Sequence, residues 1–192
     1  MSAIDGQRVG DAPESGFRSA VTAFDCDVDR MFEPMRGRAP VDSAAKVVTV
    51  LGDHGWVWTA IAVWRARRSG PARRRAVRSL GLAGVSSTLV NACTKWVVNR
   101  PRPDASGRGI SHTGVPVRVP TTSSFPSGHT LAAFCSAAAL GRPGDRSGNA
   151  LLYATAFLIG MSRIHLRAHH ASDVAGGIVI GTVVGLLVRR IR

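Results

Sequence analysis

Along the chain, stretches crowded with apolar residues alternate with short connections rich in arginine, glycine and proline. Over 17–35, Phe17, Val21, Phe24, Val28, Met31, Phe32 and Met35 recur at three- and four-residue intervals, with Asp25, Asp27, Asp29 and Arg30 between them. That period predicts an amphipathic helix, too charged to cross a bilayer, which lies on the membrane surface or packs against a bundle. Five further apolar segments follow at 47–64, 76–98, 131–140, 150–161 and 174–188, the third and fourth forming a helical hairpin. The expected fold is all-α: a polytopic membrane bundle of about five transmembrane helices plus the N-terminal amphipathic helix. It divides into a polar N-terminal region, 1–45, and a membrane-embedded domain, 46–192. A bilayer core of about 30 Å asks for roughly 20 residues at about 1.5 Å each. The last three segments are shorter, which predicts that their outer ends, carrying His129, Arg163 and Asp173, are recessed in a bowl open to lipid.

Composition sharpens this reading. The 192 residues are 45% hydrophobic yet carry a net charge of +13. Such basicity in a soluble protein suggests nucleic acid, but aromatics are few and no base-reading motif is present, so no nucleic-acid partner is expected. The charge sits instead in connections such as 65–75, which holds six arginines and no acid, and in Arg189, Arg190 and Arg192 at the C-terminus. Basic loops stay in the cytoplasm, so the expected protein is multi-pass in the cell membrane, N-terminus outside and C-terminus inside. Residues 1–15 are polar and carry no secretory signal. Asp53, within the first segment, either marks the interface or faces a polar interior. Cys26, Cys93 and Cys135 lack metal-ligand spacing and read as small buried residues. Gly177, Gly181 and Gly185 form a smooth ridge for close helix packing, within the bundle or, less simply, in a homodimer.

Candidate chemistry collects at the outer ends of the segments. Pro126-Ser127-Gly128-His129 precedes an apolar run and reads as a helix start, whose unpaired N–H groups favour an anion; the same turn is also ordinary capping chemistry. Lys95, Arg102 and Arg163 supply fixed positive charge for phosphoryl oxygens, while two histidines, His129 and His169, and one carboxylate, Asp173, between them offer a nucleophile, an acid and an orienter. Concentrating cations in a lipid-facing bundle without a ligand is costly, so an anion is implied.

Lys95-Trp-Val-Val-Asn-Arg-Pro-Arg102-Pro103, Pro126-Ser127-Gly128-His129, and Ser162-Arg163 followed by His169 and Asp173 resemble the tripartite signature of type 2 phosphatidic acid phosphatases. That superfamily includes prenyl diphosphate phosphatases, soluble acid phosphatases and haloperoxidases. The resemblance implies that His169 attacks phosphorus to give a phosphohistidine while Asp173 holds its other ring nitrogen. It implies that His129 protonates the leaving oxygen and then activates water, and that Lys95, Arg102, Ser127, Gly128 and Arg163 hold the phosphoryl oxygens. Two departures stand out: His170-Ala171-Ser172 follows His169 where the family has an aromatic and a proline, and His165 replaces an aromatic. His165, His169, His170 and Asp173 also fall at a spacing suited to a metal, but Lys95 and the arginines would repel a cation, so neither metal nor cofactor is expected. The expected activity is hydrolysis of a lipid-linked phosphate monoester or diphosphate, of prenyl or phosphatidate type, at the extracytoplasmic face. A phosphotransferase with a lipid phosphate donor, or an idle lipid-phosphate-binding protein, are the alternatives. The loop 104–124 is expected to select the headgroup.

Overall fold

The protein is described here from a computed structural model, which covers residues 16–67, 70–103 and 122–191. Among the described residues seven α-helices follow one another: α1 (Gly16–Phe32), α2 (Ala39–Gly52), α3 (Trp56–Ala66), α4 (Gly70–Val97), α5 (Gly128–Leu140), α6 (Arg146–His165) and α7 (Ala171–Ile191). No strand occurs among the described residues. The expected amphipathic helix is α1; it ends where a short 3-10 turn, Glu33–Met35, begins around Pro34, which cannot continue a helix.

The bundle is built around α5. Ten of its 13 residues are buried, and seven of these are small (four Ala with Thr130, Cys135 and Ser136), so neighbouring helices approach it closely on several sides. Its tightest neighbour is α7, on which Gly177, Gly181 and Gly185 are buried. A Cβ at Gly181 would run into the Leu131 carbonyl oxygen, and one at Gly185 into that of Cys135. The glycine ridge is therefore taken up by packing against α5 within the chain. Large apolar side chains lie outside: Trp56, Trp64, Val85, Leu89, Phe157, Val183 and Leu187 are all exposed, and Trp96 is 89% exposed. Small residues inside and large apolar residues outside is the distribution of a bundle solvated by lipid. By length and composition, α7 is the one helix among the described residues that is long and apolar enough to cross a membrane.

Three expectations change. The segment 47–64 is not one helix: α2 begins at Ala39, and a 3-10 turn, Asp53–Gly55, separates it from α3. Gly55 takes a φ of 72°, a left-handed conformation in which glycine costs nothing, and the chain turns Asp53 toward α5. Second, α6 and α7 extend beyond 150–161 and 174–188 to 20 and 21 residues, roughly 30 Å each. Asp145 accepts from the Gly148 N–H at 2.9 Å and starts α6 early. Of these last three helices only α5, at 13 residues, is short, so the recess inferred from three short helices rests on α5 alone. Third, of the cysteines only Cys135 is buried; Cys26 and Cys93 are exposed. Of the loop 104–124, residues 104–121 lie outside the described residues, as does the side chain of His54.

Candidate functional site

The turn before α5 is fixed by contacts to the start of α7. The Ser127 N–H donates to the Asp173 carbonyl at 3.0 Å, joining two segments that are far apart in sequence. Ser127 is the N-cap residue of α5, yet its side chain makes no capping bond; its oxygen instead accepts from Thr130 Oγ1 at 3.0 Å. The first-turn N–H groups thus have no side-chain cap, and an anion is the group that satisfies them best. Gly128 allows the helix start to lie against α4: a Cβ there would sit 3.1 Å from Asn91 Nδ2. An open cleft of about 640 Å³ beside it is lined by Asn91, Lys95, Trp96 and Asn99 of the α4 end with Thr122 and Ser123. A larger cleft of about 840 Å³ between α3 and α4, near Arg67 and Arg73, holds none of the candidate residues.

His169 lies in the α6–α7 connection and is 3% exposed. Its Nδ1 is 2.8 Å from the Ser124 carbonyl, which only accepts, and its Nε2 is 3.2 Å from Arg102 Nη1, which only donates. These two partners assign the tautomer: Nδ1 carries the proton and Nε2 presents its lone pair. Burial drives the ring's pKa down to about 4; Asp173 pulls the other way, and Arg163 and Arg102 push it lower, so the imidazole is neutral at neutral pH. Asp173 Oδ2 is 3.7 Å from Nδ1, outside hydrogen-bond range, so the Ser124 carbonyl makes the direct bond and Asp173 acts as a nearby charge. Fully buried at the first turn of α7, Asp173 accepts from the Ser124 hydroxyl, from the His170 N–H at 2.8 Å and from Arg100 at 2.6 Å. The bond to the His170 N–H is half of a capping box, so Asp173 also holds the start of α7.

The cations gather around this histidine. Arg102 donates through Nε to the Thr122 carbonyl at 3.1 Å and through Nη1 to the Ala168 carbonyl at 2.8 Å, while Lys95 Nζ lies 3.4 Å from Thr122 Oγ1. The Arg163 carbonyl accepts from the Ala168 N–H at 3.0 Å, and its guanidinium Nε is buried with no hydrogen-bond partner among the described residues. The charges of Arg102 and Arg163 reach Lys95, and those of Arg163 and Lys95 reach His129. All eight residues singled out from the sequence thus meet at one end of α4 to α7. His169 faces Arg102, whereas His170 contributes its backbone N–H to Asp173. His165 is held by Asp42 at 2.7 Å, away from this cluster.

Four participants were not recognised in the sequence as part of the site. Asp53 Oδ1 bonds His129 Nε2 at 2.5 Å across 76 residues. Ser124 supplies both a carbonyl to His169 and a hydroxyl to Asp173. Arg100, inside the first motif, bridges Asp173 and Asp25 of α1, each at 2.6 Å. For Asp53 a signal existed: an acid flanked by Gly52 and Gly55 in an apolar run marks a helix break and a polar interior.

A helical bundle that gathers three cations and a neutral, oriented imidazole at one end, with large apolar side chains facing outward, fits the class of membrane phosphatases. Residues 76–192 match the PAP2 superfamily, and the chain belongs to that family. It is 31% identical over 148 residues to the decaprenylphosphoryl-5-phosphoribose phosphatase of Mycobacterium tuberculosis, covering 76% of this chain and 77% of that protein. Among solved structures it is similar to LpxE of Aquifex aeolicus, with a TM-score of 0.68, 28% identity and coverage of 86% and 94% of the two chains. It also shares the fold of the transmembrane PAP2-type phosphatidylglycerolphosphate phosphatase of Bacillus subtilis, with a TM-score of 0.66, 23% identity and coverage of 93% and 87%.

Proposed function

We propose that this chain is an integral membrane phosphatase that hydrolyses a lipid-linked phosphate monoester or diphosphate through a phosphohistidine on His169. The observation that carries the reading is the buried Nε of Arg163, which has no hydrogen-bond partner among the described residues and lies beside Lys95, Arg102 and a start of α5 without a side-chain cap. A tetrahedral phosphoryl group supplies acceptors to all of them, and such preorganised donors stabilise the charge that develops in transfer.

In the first step the Nε2 lone pair of His169 forms a bond to phosphorus as the bond to the leaving oxygen breaks, and His129 gives that oxygen a proton. In the second, His129 takes a proton from water as the water oxygen attacks phosphorus and the N–P bond breaks, releasing phosphate and restoring His169. Asp53 holds Nε2 of His129, which leaves its Nδ1 to exchange the proton. Lys95, Arg102, Ser127, Gly128 and Arg163 hold phosphoryl oxygens, so the residues themselves supply the charge that a metal provides elsewhere. The chain crosses the cell membrane five times, with α2 and α3 together forming the first crossing and the site on the extracytoplasmic side. A site at the lipid-facing end of a bundle suits a substrate whose tail stays in the bilayer. The decaprenyl-linked substrate named for the mycobacterial relative favours a prenyl-type carrier over a glycerolipid.

The test is phosphate release from prenyl phosphate, prenyl diphosphate and phosphatidate in detergent with chelator present, comparing the wild-type protein with His169→Ala and His129→Ala. Turnover in the wild type and its loss in both variants is expected. Full activity in His169→Ala, or activity that requires added divalent metal, would sink the mechanism.

A further inference from the structure

We infer that Asp25 is a positioning residue for this site, acting through Arg100 to set the charge that Asp173 presents to His169; the inference rests on the phosphatase reading above. Asp25 lies on α1, outside the residues that match the family. It is the one buried residue of that helix, 7% exposed, while Phe17 and Met31 on the same helix are 78% and 72% exposed. Burying a carboxylate is costly unless it is paired, and even a paired buried charge is weak evidence of stabilisation. Docking of α1 does not require it, because Val28 and Phe32 already pack on Ile164, Ala171 and Val174. The carboxylate therefore calls for a reason other than anchorage.

Its contacts supply one. Asp25 Oδ1 accepts from the Ser172 N–H at 2.8 Å, and Oδ2 accepts from the Ser172 hydroxyl at 2.8 Å and from Arg100 Nη2 at 2.6 Å. The other guanidinium nitrogen, Nη1, donates to Asp173 Oδ1 at 2.6 Å and to the Ser172 hydroxyl at 2.7 Å. Two carboxylates share one guanidinium, so the group as a whole keeps one negative charge, with Asp173 at its His169 end. When Nε2 of His169 bonds to phosphorus, the ring takes on positive charge, and that residual negative charge stabilises it. Without Asp25, Arg100 and Asp173 form a neutral pair. The phosphohistidine then loses its counter-charge while the cationic site holds a free oxyanion more firmly.

The two effects have opposite signs, and a merely anchoring residue does not produce them together. Asp25→Asn keeps the shape and the acceptor for the Ser172 N–H but removes the charge. In the full-length, detergent-solubilised protein, kcat is expected to fall about tenfold. Inorganic phosphate, measured by titration calorimetry, is expected to bind about twofold more tightly. The thermal unfolding temperature should stay close to wild type, and Asp25→Glu, which restores the charge, should recover part of kcat. An unchanged kcat would overturn the inference, as would a fall in kcat together with weaker phosphate binding and a lower unfolding temperature. Absence of phosphate release from the wild type would instead sink the phosphatase reading; phosphate affinity would then decide the inference alone, unchanged or weaker binding in Asp25→Asn counting against it.

Discussion

Replacing Asp53 with Asn probes the proton-transfer half of the mechanism without changing the shape of the site. Asp53 Oδ1 lies 2.5 Å from His129 Nε2, and the two side chains are 37% and 28% exposed, so water screens part of their interaction. A hydrogen bond to a charged group contributes about 1.5–3 kcal/mol, and partial exposure argues for the lower half of that range, about 1.5–2 kcal/mol. At about 1.4 kcal/mol per decade, kcat for a lipid alkyl phosphate should fall roughly ten- to thirty-fold. The loss should depend on the leaving group, because only a poor one needs a proton from His129. Phosphate release should therefore be compared between an alkyl phosphate and an aryl phosphate such as p-nitrophenyl phosphate, whose phenolate departs readily. A large loss on the first and a small loss on the second is expected. Equal losses on both, or none on either, would refute the assignment of His129 as the acid and Asp53 as its partner.

Arg163→Met removes the guanidinium whose Nε has no partner among the described residues, and should weaken inhibition by inorganic phosphate about ten- to hundred-fold, read as the inhibition constant; unchanged inhibition would mean that Arg163 does not touch the anion. Gly181→Ala drives a methyl group into the Leu131 carbonyl between α5 and α7 and should cost about 1–3 kcal/mol, seen as a lower unfolding temperature in detergent. The buried His169, with its pKa lowered from 6.5 to about 4, binds fewer protons folded than unfolded between those values. Stability should therefore rise with pH across that window and fall as pH drops from about 6.5 toward 4, with His169→Asn flattening the slope in thermal unfolding measured from pH 4.5 to 7.

Much of this site can be read in the sequence because its three motifs are local. Each is a run of no more than twelve residues at a helix end, where glycine, proline and the ionisable residues signal a turn and a charge at once. The helical period of α1 was equally plain, since its acids and its apolar residues alternate regularly. The supporting contacts escape such a reading because they are distant in sequence: Asp25 meets Ser172 across 147 residues, and Asp53 meets His129 across 76. A carboxylate in an amphipathic helix looks like solvent-facing charge until the fold turns it inward. Helix ends misled for a related reason. An apolar run marks only the uncharged part of a helix, whereas α4 begins at Gly70 within the arginine run and α6 continues through Arg163 to His165.

The central claim is that three separated segments clasp one tetrahedral anion beside the lone pair of His169. The most direct measurement is an experimental structure of the protein with orthovanadate, whose geometry imitates phosphorus under attack. Vanadium bonded to His169 Nε2, with its oxygens held by Lys95, Arg102, Arg163 and the start of α5, is the predicted result. Vanadate bound elsewhere, or bound there with His169 Nε2 turned away from it, would contradict the account.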